Sequence, residues 1–240
     1  MTADQGESHP ARRYSSQVRD EQARRTRQAV VTAARELFLA QGYAATTIDA
    51  IAEAAHVSRR TVFNSAGGKS VLLKLAFDWA IVGDDEPVAL ADRPEVKAVR
   101  AEQDPHRALL GWAQLVCDVA ERVSPIIEVA AVAADSDPAA AELIADFARS
   151  RMFGATEFIQ HLASLGAGLA PGVTEQQAAD VCWALMDGHV YRRLVIDRGW
   201  TTAQFTQWLY QSVAAIVLPP APGTAGVQDP AAPASRRTST

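Results

Sequence analysis

Residues 42–70 read GYAATTIDAIAEAAHVSRRTVFNSAGGKS, and the fold turns on this stretch. Thr46 and Thr47 carry hydroxyls suited to capping a helix, and Ile48, Ile51, Ala52 and Ala55 follow at helical spacing. A helix through Ala55 is therefore predicted. His56-Val57 allows only a short turn. Ser58 can then cap a second short helix, Arg59 to about Ala66, which Gly67-Gly68 breaks. Two short helices joined by a tight turn make a helix-turn-helix, in which the first packs across the second and the second is free to enter a DNA major groove. Val62 and Val57 face inward in this reading. Arg59, Arg60 and Asn64 face out, where paired arginines can reach guanine edges or phosphates; the alternative is that they are ordinary surface arginines.

Working outward, a longer helix is expected from about Glu21 to Gln41, with Val30, Ala34, Leu37, Phe38 and Gln41 on one side, before Gly42 at its C-terminal turn. A fourth helix runs from Lys69 to about Val82. Gly83–Asp104 reads as a loop with room for one short helix. Further helices are expected over Pro105–Val123, Pro125–Ala134, Pro138–Leu165, Thr174–Arg198 and Thr202–Leu218, with prolines suited to first turns. No strand pair or fixed-period repeat emerges. The fold class is all-α: a disordered basic arm over 1–19, a helix-turn-helix domain over 20–68, a larger helical domain for ligand sensing and dimerisation over 69–218, and a Pro/Ala/Gly tail over 219–240.

Charge divides along the same line. The formal net charge is −5, yet residues 10–70 hold ten Lys or Arg against five Asp or Glu, or +5, leaving −10 for the rest. A basic part beside an acidic one suggests that the basic part meets an anion, unless it is simply a solvated basic face. The two cysteines, Cys117 and Cys182, make neither a disulfide framework nor a zinc cluster. No apolar run reaches the roughly 20 residues that span a bilayer, and the N-terminus lacks a signal-peptide core, so a cytoplasmic protein is expected.

The run RQAVVTAARELFLAQGYAATTIDAIAEAAHVSRRTVFNSAGGKSVLL, residues 27–73, resembles the signature of the TetR (tetracycline-repressor-like) family. AARELF, Gly42-Tyr43, Thr46-Thr47, Ile51-Ala52, Val57-Ser58, Thr61-Val62-Phe63 and Lys69 before Leu72-Leu73 carry the likeness. The resemblance implies DNA-binding residues Thr46, Thr47, Ser58, Arg59, Arg60, Thr61, Phe63, Asn64 and Lys69. Of these, Thr46 or Thr47, Thr61, Phe63 and Lys69 fall where the backbone of DNA is met. The chain departs from the family at three positions. Phe63 replaces a usual tyrosine and so lacks its phenolic hydrogen bond, Ala66 replaces an aromatic, and His56 stands where glycine is common and a positive φ is wanted.

For the acidic remainder the resemblance implies a small-molecule sensor that dimerises through its last two long helices. Val190, Leu194, Phe205, Trp208, Leu209 and Ile216 are the interface candidates, with plain intramolecular core as the alternative. Trp112, Phe147, Met152, Phe153, Trp183, Met186 and His189 are candidates to line a pocket, as are Cys117, Phe158 and His161; each also reads as ordinary core. No catalytic signature, cofactor motif or metal spacing occurs. The expectation is a non-enzymatic repressor that binds a palindromic operator in double-stranded DNA as a homodimer and is released by a small apolar or amphipathic effector. The alternatives are a DNA-binding protein without a ligand switch, or an α-helical enzyme of no known pattern.

Overall fold

The computed structural model describes residues 10–166 and 169–218, and side chains from Val18 onward. Residues 1–9 and 219–240, which hold about half of the expected arm and all of the expected tail, lie outside the described residues. The elements are α1 (Pro10–Ala45), α2 (Ile48–Ala54), α3 (Arg59–Ala66), α4 (Lys69–Val82), α5 (Pro94–Ala101), α6 (Pro105–Ala134), α7 (Pro138–Ser164), α8 (Glu175–Leu185), α9 (Gly188–Tyr191) and α10 (Thr202–Val217). A 3-10 turn, Leu90–Asp92, precedes α5, and a π-turn, Arg192–Ile196, follows α9. Among the described residues there is no strand, and no helix is long and apolar enough to cross a membrane.

The helices over 48–82 stand where the sequence puts them, because their signals are local. Thr47 accepts a hydrogen bond from the Ala50 N–H, and Ser58 from that of Thr61. Gly42 takes φ +82 at a kink near the end of α1, and His56 takes φ +55 in the turn. Elsewhere the structure corrects the reading. α1 starts at Pro10, not Glu21: from Ala11 to Gln41 no glycine or proline interrupts it, and Glu21 pairs with Arg25 one turn on. α6 runs through Pro125, where two helices were expected. A proline inside a helix costs about 3 kcal/mol, and here Val123, Ser124, Ile126 and Ile127 are buried on either side of it and hold the helix together. The expected helix Thr174–Arg198 is broken after α8, because the Asp187 carboxylate accepts from the His189 N–H and so starts α9 afresh.

Two apolar cores meet along α6. The first joins Val30 and Phe38 of α1, Ile51 of α2, Val62 of α3 and Leu72, Leu73 and Phe77 of α4 to the C-terminal half of α6 and the start of α7. The second joins the N-terminal half of α6 to the end of α7, α8, α9 and α10 around Trp112, Phe158, Tyr191, Phe205 and Leu209. Each large side chain fully buried this way contributes about 1.5–3 kcal/mol. The helix-turn-helix is thus seated on α4 and α6 and shares one core with them.

Candidate nucleic-acid interface and effector cavity

Burial of Val62 fixes the rotation of α3, so Arg59, Arg60, Phe63 and Asn64 all point to solvent. Phe63 is 46% exposed, unusual for a phenylalanine without a covering partner. Ser58 Oγ lies 2.8 Å from Thr61 Oγ1, so those two hydroxyls satisfy each other at the helix start. Arg59 reaches back to Asp49 of α2 at 2.9 Å and lies 5.8 Å from the Phe63 ring centroid. Arg60 has no partner among the described residues. Thr47 is exposed at the start of α2. Thr46 does not belong to this surface. It is 1% exposed, and its hydroxyl donates to the Gly42 carbonyl and accepts from Gln41, so it closes the α1–α2 turn and cannot reach phosphate.

Lys69 is half-buried. Its ammonium donates to the Tyr43 carbonyl at 3.0 Å and sits 4.2 Å from the Tyr43 ring centroid. The Tyr43 hydroxyl in turn donates to the carboxylate of Asp137, which caps α7. That hydrogen bond, helped by the Ala139 N–H, holds Asp137 below the usual carboxylate range. Burial, then Asp137 itself, raises the Tyr43 phenol above its ordinary value. A chain of contacts therefore runs from the start of α4 through the end of α1 to the start of α7.

Behind this surface, α4, α5, α6 and α7 line a cavity of about 740 Å3 that is partly open to solvent. Trp112 and Phe158 form one wall, stacked with centroids 4.9 Å apart. Ile81 and Val82 bring the end of α4 into the lining, and Phe147 lines it while meeting Phe77 of α4 edge to face at 5.0 Å. Of the sequence candidates, Trp112, Phe147, Phe153, Phe158, His161 and Met186 line the cavity, Phe153 at a mouth position where it stays 65% exposed. Met152, Trp183, His189 and Cys117 do not. Trp183 instead donates its indole N–H to the Ala148 carbonyl, and Cys117 is a buried thiol near the Thr202 carbonyl whose pKa burial raises.

Residues 30–76 match the model of the bacterial regulatory proteins, tetR family. The chain is 48% identical over 52 residues to the HTH-type transcriptional regulator TcmR of Streptomyces glaucescens. The helix-turn-helix domain is of the TetR family. That likeness spans 22% of this chain and 23% of TcmR, about a quarter of the curated relative's length. Solved structures extend the fold over most of the chain. NalD, the secondary repressor of the MexAB-OprM multidrug efflux pump in Pseudomonas aeruginosa, is similar over 82% of this chain and 98% of its own, with a TM-score of 0.62 at 20% identity. A transcriptional regulator from Saccharomonospora viridis, solved in complex with choline, covers 80% of this chain and 97% of its own, with a TM-score of 0.62 at 17% identity. The all-helical fold is thus that of TetR-family regulators.

Within this TetR-type fold the interface candidates separate. Phe205 and Leu209 are fully buried in the chain's own core, so they are core residues and not an interface with a partner. Trp208, packed on Trp200 and Phe205, is half-buried, as are Val190 and Leu194, and Ile216 is exposed. The sequence reading also missed Arg151, which lines the cavity, and the Tyr43–Asp137 contact. A signal for the first exists: Phe147, Arg151, Gly154, Phe158 and His161 recur at three- and four-residue spacing, one face of α7.

Proposed function

We propose that the chain is a ligand-responsive transcriptional repressor that binds a palindromic operator as a homodimer. The observation that carries this is a cavity whose wall includes the last turn of α4, the helix that begins at Lys69, directly after α3. Arg122 of α6 donates to the Ala80 and Ile81 carbonyls, so the cavity end of α4 is gripped by the sensing region. At the other end α4 shares its core with the helix-turn-helix. A ligand that prefers a widened cavity would move α4 and with it the separation of the two recognition helices. It would shift the population off DNA by its differential affinity for the two states. In one structural relative, choline is the bound small molecule, which supports a ligand role for this fold.

The remaining apolar surface of α10 and the π-turn, including Trp208, Ile216 and Leu194, supports a two-fold helical interface. The proposal is tested by mapping bound sites across the native genome and titrating one of them with the purified protein. Binding as a dimer to an inverted repeat, lost on adding a cavity ligand, is expected. Binding that no small molecule alters would favour a DNA-binding protein without a switch.

A further inference from the structure

The cavity is lined mainly by apolar side chains, and two of its polar lining residues, both on α7, carry buried nitrogens without a partner among the described residues. Arg151 has a side chain only 10% exposed. Its Nη2 donates to Asp187 at 3.1 Å, and its guanidinium lies 5.2 Å from the Phe147 ring centroid and 5.4 Å from that of Trp183. Its Nε and Nη1 are buried with no hydrogen-bond partner among the described residues, and the same holds for His161 Nε2. A buried charged donor left unpaired is costly, and most are satisfied in a folded protein. The other charged groups of the wall are already matched: Asp78 with Lys74, Asp146 with Arg149, and Glu157 with Arg100. Arg151 is the cation of this wall that is both buried and under-used. The Asp187 contact and the two aromatic rings hold it in place, so its N–H groups stand in fixed positions at the cavity wall.

Distance adds to this. Arg151 and His161 are ten residues apart on one helix face, roughly 15 Å along the axis at the α-helical rise. Between them lie Gly154, whose missing Cβ would touch nothing within 4 Å, and Phe158, stacked on Trp112. An occupant that met Arg151 would lay its body over Gly154 against the Trp112–Phe158 wall.

We infer that the effector is an amphipathic anion: an aromatic or otherwise flat apolar body of drug-like size, carrying an acidic oxygen head that accepts hydrogen bonds from Arg151. This rests on the reading of the cavity as the effector site, and names the chemistry of what fills it.

Two fluorescent probes share one body and differ in the head. 1-Anilinonaphthalene-8-sulfonate carries an anionic sulfonate, and N-phenyl-1-naphthylamine lacks it. Each is titrated against the full-length protein, without DNA, in the wild type, Arg151→Met and Gly154→Leu. The wild type is expected to bind the sulfonate on the order of tenfold or more tightly than the neutral probe, the gain of one or two charged hydrogen bonds. Arg151→Met should lose that preference and leave the neutral probe within about threefold, while Gly154→Leu, which fills open space, should weaken both. Circular dichroism and melting of each variant check the fold, and the wild-type preference is readable without any variant. Equal binding of the two probes by the wild type, or a sulfonate preference that survives in Arg151→Met, overturns the anionic head while leaving the cavity as a ligand site. Binding of both probes unaffected by Gly154→Leu places them elsewhere and overturns the inference. Failure of a bound probe to release operator DNA in a separate titration would count against the switch and not against the head-group chemistry.

Discussion

Two arginines without full partners stand in contrasting settings. Arg60, on α3, is exposed and solvated. Arg151, on α7, is buried between two aromatic rings with two of its nitrogens unmatched. An exposed cation gains from an anion mainly by releasing counterions, so its contribution falls steeply with salt. A buried, immobilised one gains by direct hydrogen bonds in a medium of low polarity, where salt matters little. One fold thus carries an exposed cation of the kind that suits a long polyanion and a buried donor of the kind that suits one small molecule, and α4 and α6 pack against both regions.

That arrangement requires the two regions to be mechanically one. Phe77 tests this most severely. It is fully buried in the core shared by α1, α4 and α6 and touches the cavity residue Phe147. Phe77→Ala should destabilise the whole chain by about 3–5 kcal/mol, read as a shift of a single urea transition followed by both far-UV and tryptophan signals. Two separated transitions would show that the DNA-binding and cavity regions fold independently. A loss under about 1 kcal/mol would mean that the shared core is not well packed there.

The second test sharpens the difference between Arg60 and its neighbour. Arg60→Ala should weaken operator binding by about 1–3 kcal/mol, concentrated at one base pair if the side chain reads a guanine edge. Arg59→Ala should cost less, because Arg59 already spends its guanidinium on Asp49 and must give up that contact to reach DNA. Binding isotherms against a set of single-base operator variants distinguish the two. An Arg59 loss larger than the Arg60 loss would mean that the Asp49 pair opens on DNA.

These two regions also differ in how far they could be read from sequence. The helix-turn-helix was legible to within a residue at its helix bounds because most of its signals are local: Thr47 and Ser58 cap within three residues, Val62 sets the face, and His56 sits in the turn at positive φ. Thr46 was misplaced because two adjacent threonines look alike in sequence, and only the packing of α1 decides which is buried. The cavity was poorly legible because lining and core use the same side chains. Trp112 and Trp183 are both tryptophans on apolar helix faces, and the space between helices separates them. Arg151 looks like one of many arginines until Phe147 and Trp183 close over it. The break at Asp187 was hidden because a single aspartate can cap a helix or decorate one, and the choice depends on α6 packing behind Gly188.

A third test addresses the contact between the regions. Tyr43→Phe keeps the ring, which packs on Phe38 and under Lys69, and removes only the hydroxyl that donates to Asp137. A hydrogen bond to a charged group is worth about 1.5–3 kcal/mol when well shielded. Asp137 is only partly buried, so solvent screens the bond and about 1 kcal/mol is expected at pH 7. The sign with pH follows from Asp137, whose folded-state pKa lies below its ordinary value of 3.8. Its contribution is fully present above that value and is lost as pH falls through the lower folded value. The gap between wild type and Tyr43→Phe in urea midpoints should therefore close as the pH is taken from about 5 to about 2. A gap independent of pH would mean that the hydroxyl matters for packing and not for the carboxylate.

The smallest effect is expected where α1 touches the acidic half. Arg24 Nη1 lies 3.1 Å from both carboxylate oxygens of Asp85, in the segment after α4. Arg24 is half-exposed, so the pair should contribute under about 1 kcal/mol to stability by a double-mutant cycle of Arg24→Ala and Asp85→Ala. Its use lies in sorting the cations of α1. If Arg24 is held by Asp85 when DNA binds, Arg24→Ala should leave the salt dependence of operator affinity unchanged, and Asp85→Asn should do the same. If instead Arg24 leaves Asp85 for a phosphate, Arg24→Ala should flatten the slope by roughly 0.9. Asp85→Asn, by removing the competing carboxylate, should then tighten binding at low salt. Titrating the three proteins against one operator at several salt concentrations separates these outcomes. Parallel lines would leave Arg24 as a tie between α1 and the sensing region, and sequence recognition would rest on α3.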